Sequence, residues 1–291
     1  HVHFVSEPGE QLYRLDKLVI AAENRQAPLN IHGAGTVKER AFKVSGQLGP
    51  LADMFAQDKP YPAHLTAHWE HIQLSIDGTL ADPANSEGIS LMAKLNIPEI
   101  AEVVASVPLK GQVQGGFHVS GSFAEPALSD ITLVWTDRSQ VHVQVTGTVG
   151  NLLTQEQAAL HLSGFIHDAD LLKTLLPETN IAFNRFNIDA DISKERRDYR
   201  LQNLSLQLSD EQGFSLGLTG NSDLVKDQQP LRSLAVQAEI SSKDTASVNP
   251  YLGGILPEMG AVKGTADIST QGKDFILSHI KLTAGVEQQT Q

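Results

Sequence analysis

The run Leu201-Gln202-Asn203-Leu204-Ser205-Leu206-Gln207-Leu208 decides the fold. From Leu204 onward apolar and polar residues alternate singly, the period of a strand with one dry face and one wet face. The same alternation recurs in Leu65, Ala67, Trp69; Ile72, Leu74, Ile76; Ile89, Leu91, Ala93, Leu95, Ile97; and Val141, Val143, Val145. It continues in Phe214, Leu216, Leu218 and in Leu234, Val236, Ala238, Ile240. Plausible turn pairs punctuate these runs: Pro8-Gly9, Asp77-Gly78, Asp82-Pro83 and Gln271-Gly272. Helix-like stretches are short: Gly49 to Gln57, Pro98 to Ser106, Asp168 to Leu176 and Val248 to Leu256. Pro108, Pro177 and Pro257 stand where the last three should stop, and each stretch reads as a connector that plugs or crosses a sheet.

The opening run is also one copy of a repeat. Leu128-Ser129-Asp130-Ile131-Thr132-Leu133 superposes without a gap on Leu277-Ser278-His279-Ile280-Lys281-Leu282, and the same offset carries Pro108 onto Pro257, Gly111 onto Gly260 and Gly115 onto Gly264. A fourth copy is Leu15-Asp16-Lys17-Leu18-Val19-Ile20. After the first three copies in chain order comes a strand expected to end in glycine, at Gly33, Gly147 and Gly220. The expected unit is a helical turn, a proline and several antiparallel strands, giving one continuous array with approximate units 1–107, 108–176, 177–256 and an incomplete 257–291. Because a single unit cannot cover its own dry face, stacked neighbours should extend one surface, and the array is expected to be elongated. We read it as a segment of a longer protein.

Composition limits what such a chain can do. Of its 291 residues 41% are hydrophobic but only 5% aromatic, so the dry face must be built from Val, Ile, Leu and Ala. A net charge of −12 disfavours nucleic acid, and the densest basic run, Lys194, Arg196, Arg197 and Arg200, is interrupted by Glu195 and Asp198. The absence of cysteine removes disulfides, thiolate metal sites and Cys nucleophiles.

Motifs that would carry chemistry are weak. His64, His68 and His71 suggest a metal, but on a strand the first two share the face opposite the third. His161 and His167 with Asp168 and Asp170 could be imagined around Ser163, yet no nucleophile elbow accompanies them. Gly111 to Gly121 lacks the Gly-Lys-Ser/Thr ending of a phosphate loop, and its glycines read better as permitting a sheet bend. Asp189 and Asp191 form an isolated pair without a calcium loop around them. The expectation is no catalytic residue, no metal and no cofactor.

Ala41-Phe42-Lys43-Val44-Ser45-Gly46-Gln47-Leu48-Gly49, the Leu80-Ala81-Asp82-Pro83 turn, and Val107-Pro108-Leu109-Lys110-Gly111 leading into the Leu128 to Leu133 strand resemble the AsmA-like family. These are Gram-negative envelope repeat proteins related in architecture to the bridge-like lipid-transfer proteins. The resemblance implies a bent antiparallel sheet forming a trough, periplasmic location, attachment to the inner membrane through an N-terminal helix that this sequence lacks, and movement of phospholipid toward the outer membrane. Envelope proteins are further implied partners. The lipid-facing candidates are Val141, Val143, Val145, Leu204, Leu206, Leu208, Phe214, Leu216, Leu218, Leu234 and Val236. Two other readings stay open: an envelope scaffold without lipid transport, and a β-solenoid adhesin or sugar-binding module, which two Trp and four Tyr support poorly.

Overall fold

The computed structural model describes residues 2–4, 13–37, 40–56, 59–85, 87–103, 109–138, 140–175, 183–195, 198–225, 233–249, 257–271 and 274–285. The chain is mainly β and antiparallel, with short helical connectors. Its strands in chain order are β1 (Val2–Phe4), β2 (Tyr13–Ala21), β3 (Pro28–Val37), β4 (Arg40–Pro50), β5 (Tyr61–Trp69), β6 (Ile72–Asp82), β7 (Glu87–Ile97), β8 (Gln112–Ser122) and β9 (Pro126–Asp137). They continue as β10 (Val141–Asn151), β11 (Glu156–Ile166), β12 (Arg185–Glu195), β13 (Asp198–Ser209), β14 (Ser215–Val225), β15 (Ser233–Ser242), β16 (Val262–Gln271) and β17 (Asp274–Ala284).

Contacts divide the chain into two compact units larger than the sequence repeats. One comprises 1–100, 112–134 and 147–155; the other comprises 101–111, 135–146 and 156–291. In the first, β1 to β8 form an open antiparallel meander. In the second, β11 to β17 form another.

Register converts the alternation into faces. In the second unit Phe186 pairs with Leu208, Leu208 with Leu216, Leu216 with Ile240 and Ile240 with Gly264, so one side of five strands is aliphatic at that level. The row three residues further on, Asp189, Ser205, Thr219, Gln237 and Asp267, points the other way and is polar throughout. The first unit repeats the arrangement: Val44, Ala67, Leu74 and Leu95 align on one side, Ser45, Thr66, Ser75 and Lys94 on the other.

The repeated hexapeptide is a β-bulge. Register shifts fall between Leu15 and Lys17, between Leu201 and Leu204, and opposite Ser278 to Lys281. Its third residue has positive φ at Asp130 (52°), Asn203 (52°) and His279 (49°), residue types that tolerate the left-handed region better than β-branched ones. Each bulge bends its strand and tightens the local twist. The glycine 18 or 19 residues later does not end a strand, contrary to the sequence expectation. Gly33 and Gly220 lie inside β3 and β14, opposite Leu18 and Leu204, the fourth residue of the hexapeptide, and Gly147 lies inside β10. A Cβ on Gly220 would stand 2.7 Å from Val236 Cα and overlap the Ala235 carbonyl oxygen, so the glycine answers a close approach of backbones. Asp77-Gly78 is likewise no turn. It lies within β6, paired with His64 and Ala63, and a Cβ on Gly78 would stand 2.9 Å from Leu91 Cα.

Among the described residues the helical segments are shorter than the helix-like stretches in the sequence. Gly49 to Gln57 contains one 3-10 turn at Leu51–Asp53, and Pro98 to Ser106 another at Ile100–Glu102. Asp168 to Leu176 gives the one α-helix among the described residues, α1 (Ala169–Leu175). Asp168 caps it by accepting the Leu171 amide at 3.0 Å. Pro108, Pro177, most of Val248 to Leu256, Pro8-Gly9 and Gly272 lie outside the described residues; Asp82-Pro83 does open a turn.

Each unit has a core at one end of its aliphatic side. In the second it comprises Val141, Ile166, Leu171, Leu172, Phe183, Leu208, Phe214 and Val248, so α1 and the segment after β15 cover that end of the sheet. That segment is pinned by Asp244, which accepts the Ser247 amide and hydroxyl at 2.8 and 2.7 Å, and by fully buried Thr245, which donates to Pro257 O at 2.8 Å and accepts from the Met259 amide at 2.7 Å. In the first unit Tyr61, Leu80 and Ile89 pack with Leu48, Met54, Leu91 and Val119. The Tyr61 hydroxyl, inside this core, donates to Gly49 O at 2.6 Å.

Candidate functional site: the aliphatic side of the sheet

In the second unit the aliphatic side carries a packed core at one end and, further along, a mixture of buried residues such as Ala190 and half-buried ones. Val141, Leu208 and Phe214 are 1, 7 and 5% exposed and belong to the sealed core. Val143, Leu206 and Leu216 pack against it. Phe214 precedes the first residue of β14 and stacks on Phe183 at 6.3 Å, so it serves the connector and not the strand face. Val145, Leu204, Leu218 and Leu234 lie farther from the core and keep part of their surface in water, while Val236, beside Gly220, is 6% exposed. The register brings the candidates of β13, β14 and β15 to one side, and core contacts place Val141 and Val143 there too, but some sit in a packed core and others on a part-open surface.

Farther across the sheet the aliphatic side becomes bare. Leu277, Ile280 and Leu282 of β17 are 59, 68 and 61% exposed. Ile280 and Leu282, with Ala238, Ile240 and Ala266, line an open cleft whose exposed surface is almost entirely apolar. Contiguous exposed aliphatic surface of this kind marks an interaction site more often than isolated exposed residues do.

The groups that might have carried chemistry lie on the polar side or in the connectors. His161 Nδ1 stands 2.9 Å from Asp191 and its Nε2 3.5 Å from Asp189, so both ring nitrogens face carboxylates, while His167 stacks on Phe165 at 4.6 Å and Asp168 caps α1. Asn203 Nδ2 donates to Asp191 at 2.7 Å, and this bond, followed by the one from His161, holds the Asp191 carboxyl below the ordinary carboxylate range. His279 meets Asp267 at 2.9 Å and His64 meets Asp77 at 2.8 Å, again on the polar side. His71 falls in the turn between β5 and β6, apart from the strand that carries His64 and His68. Among the described residues no group of three or more His, Cys, Asp or Glu is arranged to hold a metal ion.

Sequence reasoning missed two features. The bulge residue was signalled by the third hexapeptide position, Asp130, Asn203 or His279, which is polar in every copy. Strand parity also places two cations among the aliphatic residues, Arg40, two residues before Phe42, and Lys194, two after Ile192. No protein-family model, curated protein or solved structure matches the chain.

Proposed function

We propose that this chain binds lipid acyl chains along the aliphatic side of its sheet and shields them from water, in the manner of the AsmA-like proteins it resembles. On this reading it acts in the periplasm, moving or shielding phospholipid between the inner and outer membranes, with attachment to the inner membrane supplied by the parent protein. The observation that carries the reading is the aliphatic register across β11 to β17, sealed by connectors at one end and part-open beyond. Each CH₂ removed from water is worth about 0.8 kcal/mol, so an acyl chain along such a surface gains on the order of 10 kcal/mol before ordering costs. No catalytic group is needed for that work.

A photo-crosslinking residue tests it. Placed at Leu204, Leu218 or Leu234 it should capture phospholipid in native envelopes, whereas at Ser205, Thr219 or Gln237, on the polar side, it should not. Equal capture from both sides, or none from either, would favour an envelope scaffold that transports no lipid.

A further inference from the structure

The bulge that β13 forms against β12 recurs where β17 meets β16. At one constant offset Ala190, Asp191 and Ile192 fall on Ala266, Asp267 and Ile268, and Leu201, Leu204 and Leu206 fall on Leu277, Ile280 and Leu282. The pairing matches as well: Asp189 meets Ser205 and Asp191 meets Gln202, while Thr265 meets Lys281 and Asp267 meets Ser278. The bulge residue has φ of 52° in Asn203 and 49° in His279, and its side chain reaches the same carboxylate position, Asn203 Nδ2 to Asp191 at 2.7 Å and His279 Nδ1 to Asp267 at 2.9 Å. The two copies differ in what lies beyond. β14 pairs with β13 on both sides of the bulge, and the Asn203 amide turns toward β14 and donates to Asn221 Oδ1 at 3.0 Å. Leu201, Leu204 and Leu206 are half-buried there. β17 has β16 along one edge, and all of its residues but Ser278 are exposed, the counterparts of those three leucines included.

A strand edge offers amides and carbonyls that another strand can satisfy, and edges not meant to pair are commonly blunted by proline or by a bulge that twists them away. Neither protects β17. It contains no proline, and its bulge is the one with which β13 pairs fully with β14. The Gly285 amide donates to Ala261 O at 3.1 Å on the β16 side, so strand alternation turns the Leu282 and Ala284 amides to the far edge. We propose that this edge of β17 accepts one further antiparallel strand, from a polypeptide patterned like β14 with an Asn placed to take the His279 amide. In the register of β13 with β14, a residue in the place of Gly220 faces Ile280, one in the place of Leu218 faces Leu282, and one in the place of Leu216 faces Ala284. Main-chain bonds supply the affinity of such an added strand and its alternate side chains the selectivity. The aliphatic side is thereby continued by one strand, whether or not lipid is its ligand.

The test uses the full chain with a synthetic peptide of the β14 sequence, Ser215–Val225, read by amide hydrogen exchange. The peptide should bind with a Kd of about 0.1 mM or tighter. At about ten times that concentration the Leu282 and Ala284 amides should exchange about tenfold more slowly, while those of Lys281 and Thr283, turned toward β16, stay unchanged. The same peptide with Asn221→Leu should bind about fivefold more weakly, because the His279 amide loses its acceptor. Leu282→Pro in the full chain removes an outward amide and no bond to β16, and should abolish the protection at Ala284. No slowing at Leu282 and Ala284 with about 1 mM peptide overturns the inference, and so does equal binding by the Asn221→Leu peptide; both readings use the unaltered chain and hold whether or not the proline variant folds. Protection that grows with protein concentration in the absence of peptide assigns the edge to a second copy, and protection by phosphatidylglycerol vesicles alone assigns it to lipid; either result overturns it too.

Discussion

Two glycines three residues apart in β14 should respond to the same substitution with opposite sign. Gly217 lies on the polar side, where a Cβ would meet nothing nearer than Glu239 Cβ at 3.9 Å. Alanine there removes chain entropy from the unfolded state and should stabilise by about 0.5–1 kcal/mol. Gly220 has φ of +148° and faces Leu204 just past the bulge, and its Cβ would stand 2.7 Å from Val236 Cα. Alanine there meets a conformation that costs about 1–3 kcal/mol for a residue with a Cβ. Overlap with the neighbouring strand adds roughly 1–3 kcal/mol more. The two variants should thus differ by on the order of 4 kcal/mol, read as separated midpoints in urea with unchanged slopes. If Gly220→Ala proves as stable as Gly217→Ala, the glycine is not required by the close approach after the bulge, and the account of the repeat fails.

Leu208→Ala should cost about 2–5 kcal/mol as a cavity in the sealed core. Leu204→Ala, with part of its side chain already in water, should cost only about 1 kcal/mol; similar urea midpoints for the two would contradict the division of the aliphatic side into sealed and part-open regions. The hydrogen bonds from Ser247 hold the Asp244 carboxyl below its ordinary range, so its contribution is present above the unfolded value of about 3.9 and lost as pH falls through the lower folded value. Asp244→Asn should therefore flatten the acid limb of a melting-temperature profile. Burial, helped by Asp53, raises the Tyr61 hydroxyl, so the stability it contributes is full below about pH 10 and lost as pH rises through the folded value. Tyr61→Phe should make the alkaline limb less steep, and an identical limb would show that the phenol does not titrate there.

Much of this was legible in the sequence because strand periodicity is local. Leu204, Leu206 and Leu208 announce their side by spacing alone, and the register needed only to confirm which strands they meet. The hexapeptide was legible as a repeat but not as a bulge, since Leu201 and Leu204 share a side only when an extra residue breaks the period between them. The same gap hid the role of Gly220. A glycine at the end of an alternating run reads as a strand terminus, whereas here it continues the strand beside a backbone that leaves no room for a Cβ. Asp77-Gly78 misleads for the same reason: a pair that favours turns is indistinguishable, in one sequence, from a polar-side residue followed by a close-approach glycine.

The end of the sheet that is sealed was beyond reach of any local pattern. Val143, Leu206 and Leu216 look in sequence like Val145, Leu204 and Leu218, each an aliphatic residue in an alternating strand. They differ because Leu171 and Leu172 of α1, Phe183 before β12 and Val248 after β15 converge on the first set from three separate connectors. This asymmetry bears on the lipid reading. A face sealed throughout would be an ordinary core with no room for a ligand, and one bare throughout would offer no folded base to hold the strands. A sealed end supplies the packing that keeps the register, and the part-open remainder leaves aliphatic surface whose burial is still available to an acyl chain. Function on this reading resides in what the connectors leave uncovered, so lengthening a connector with aliphatic residues should displace lipid without touching any strand.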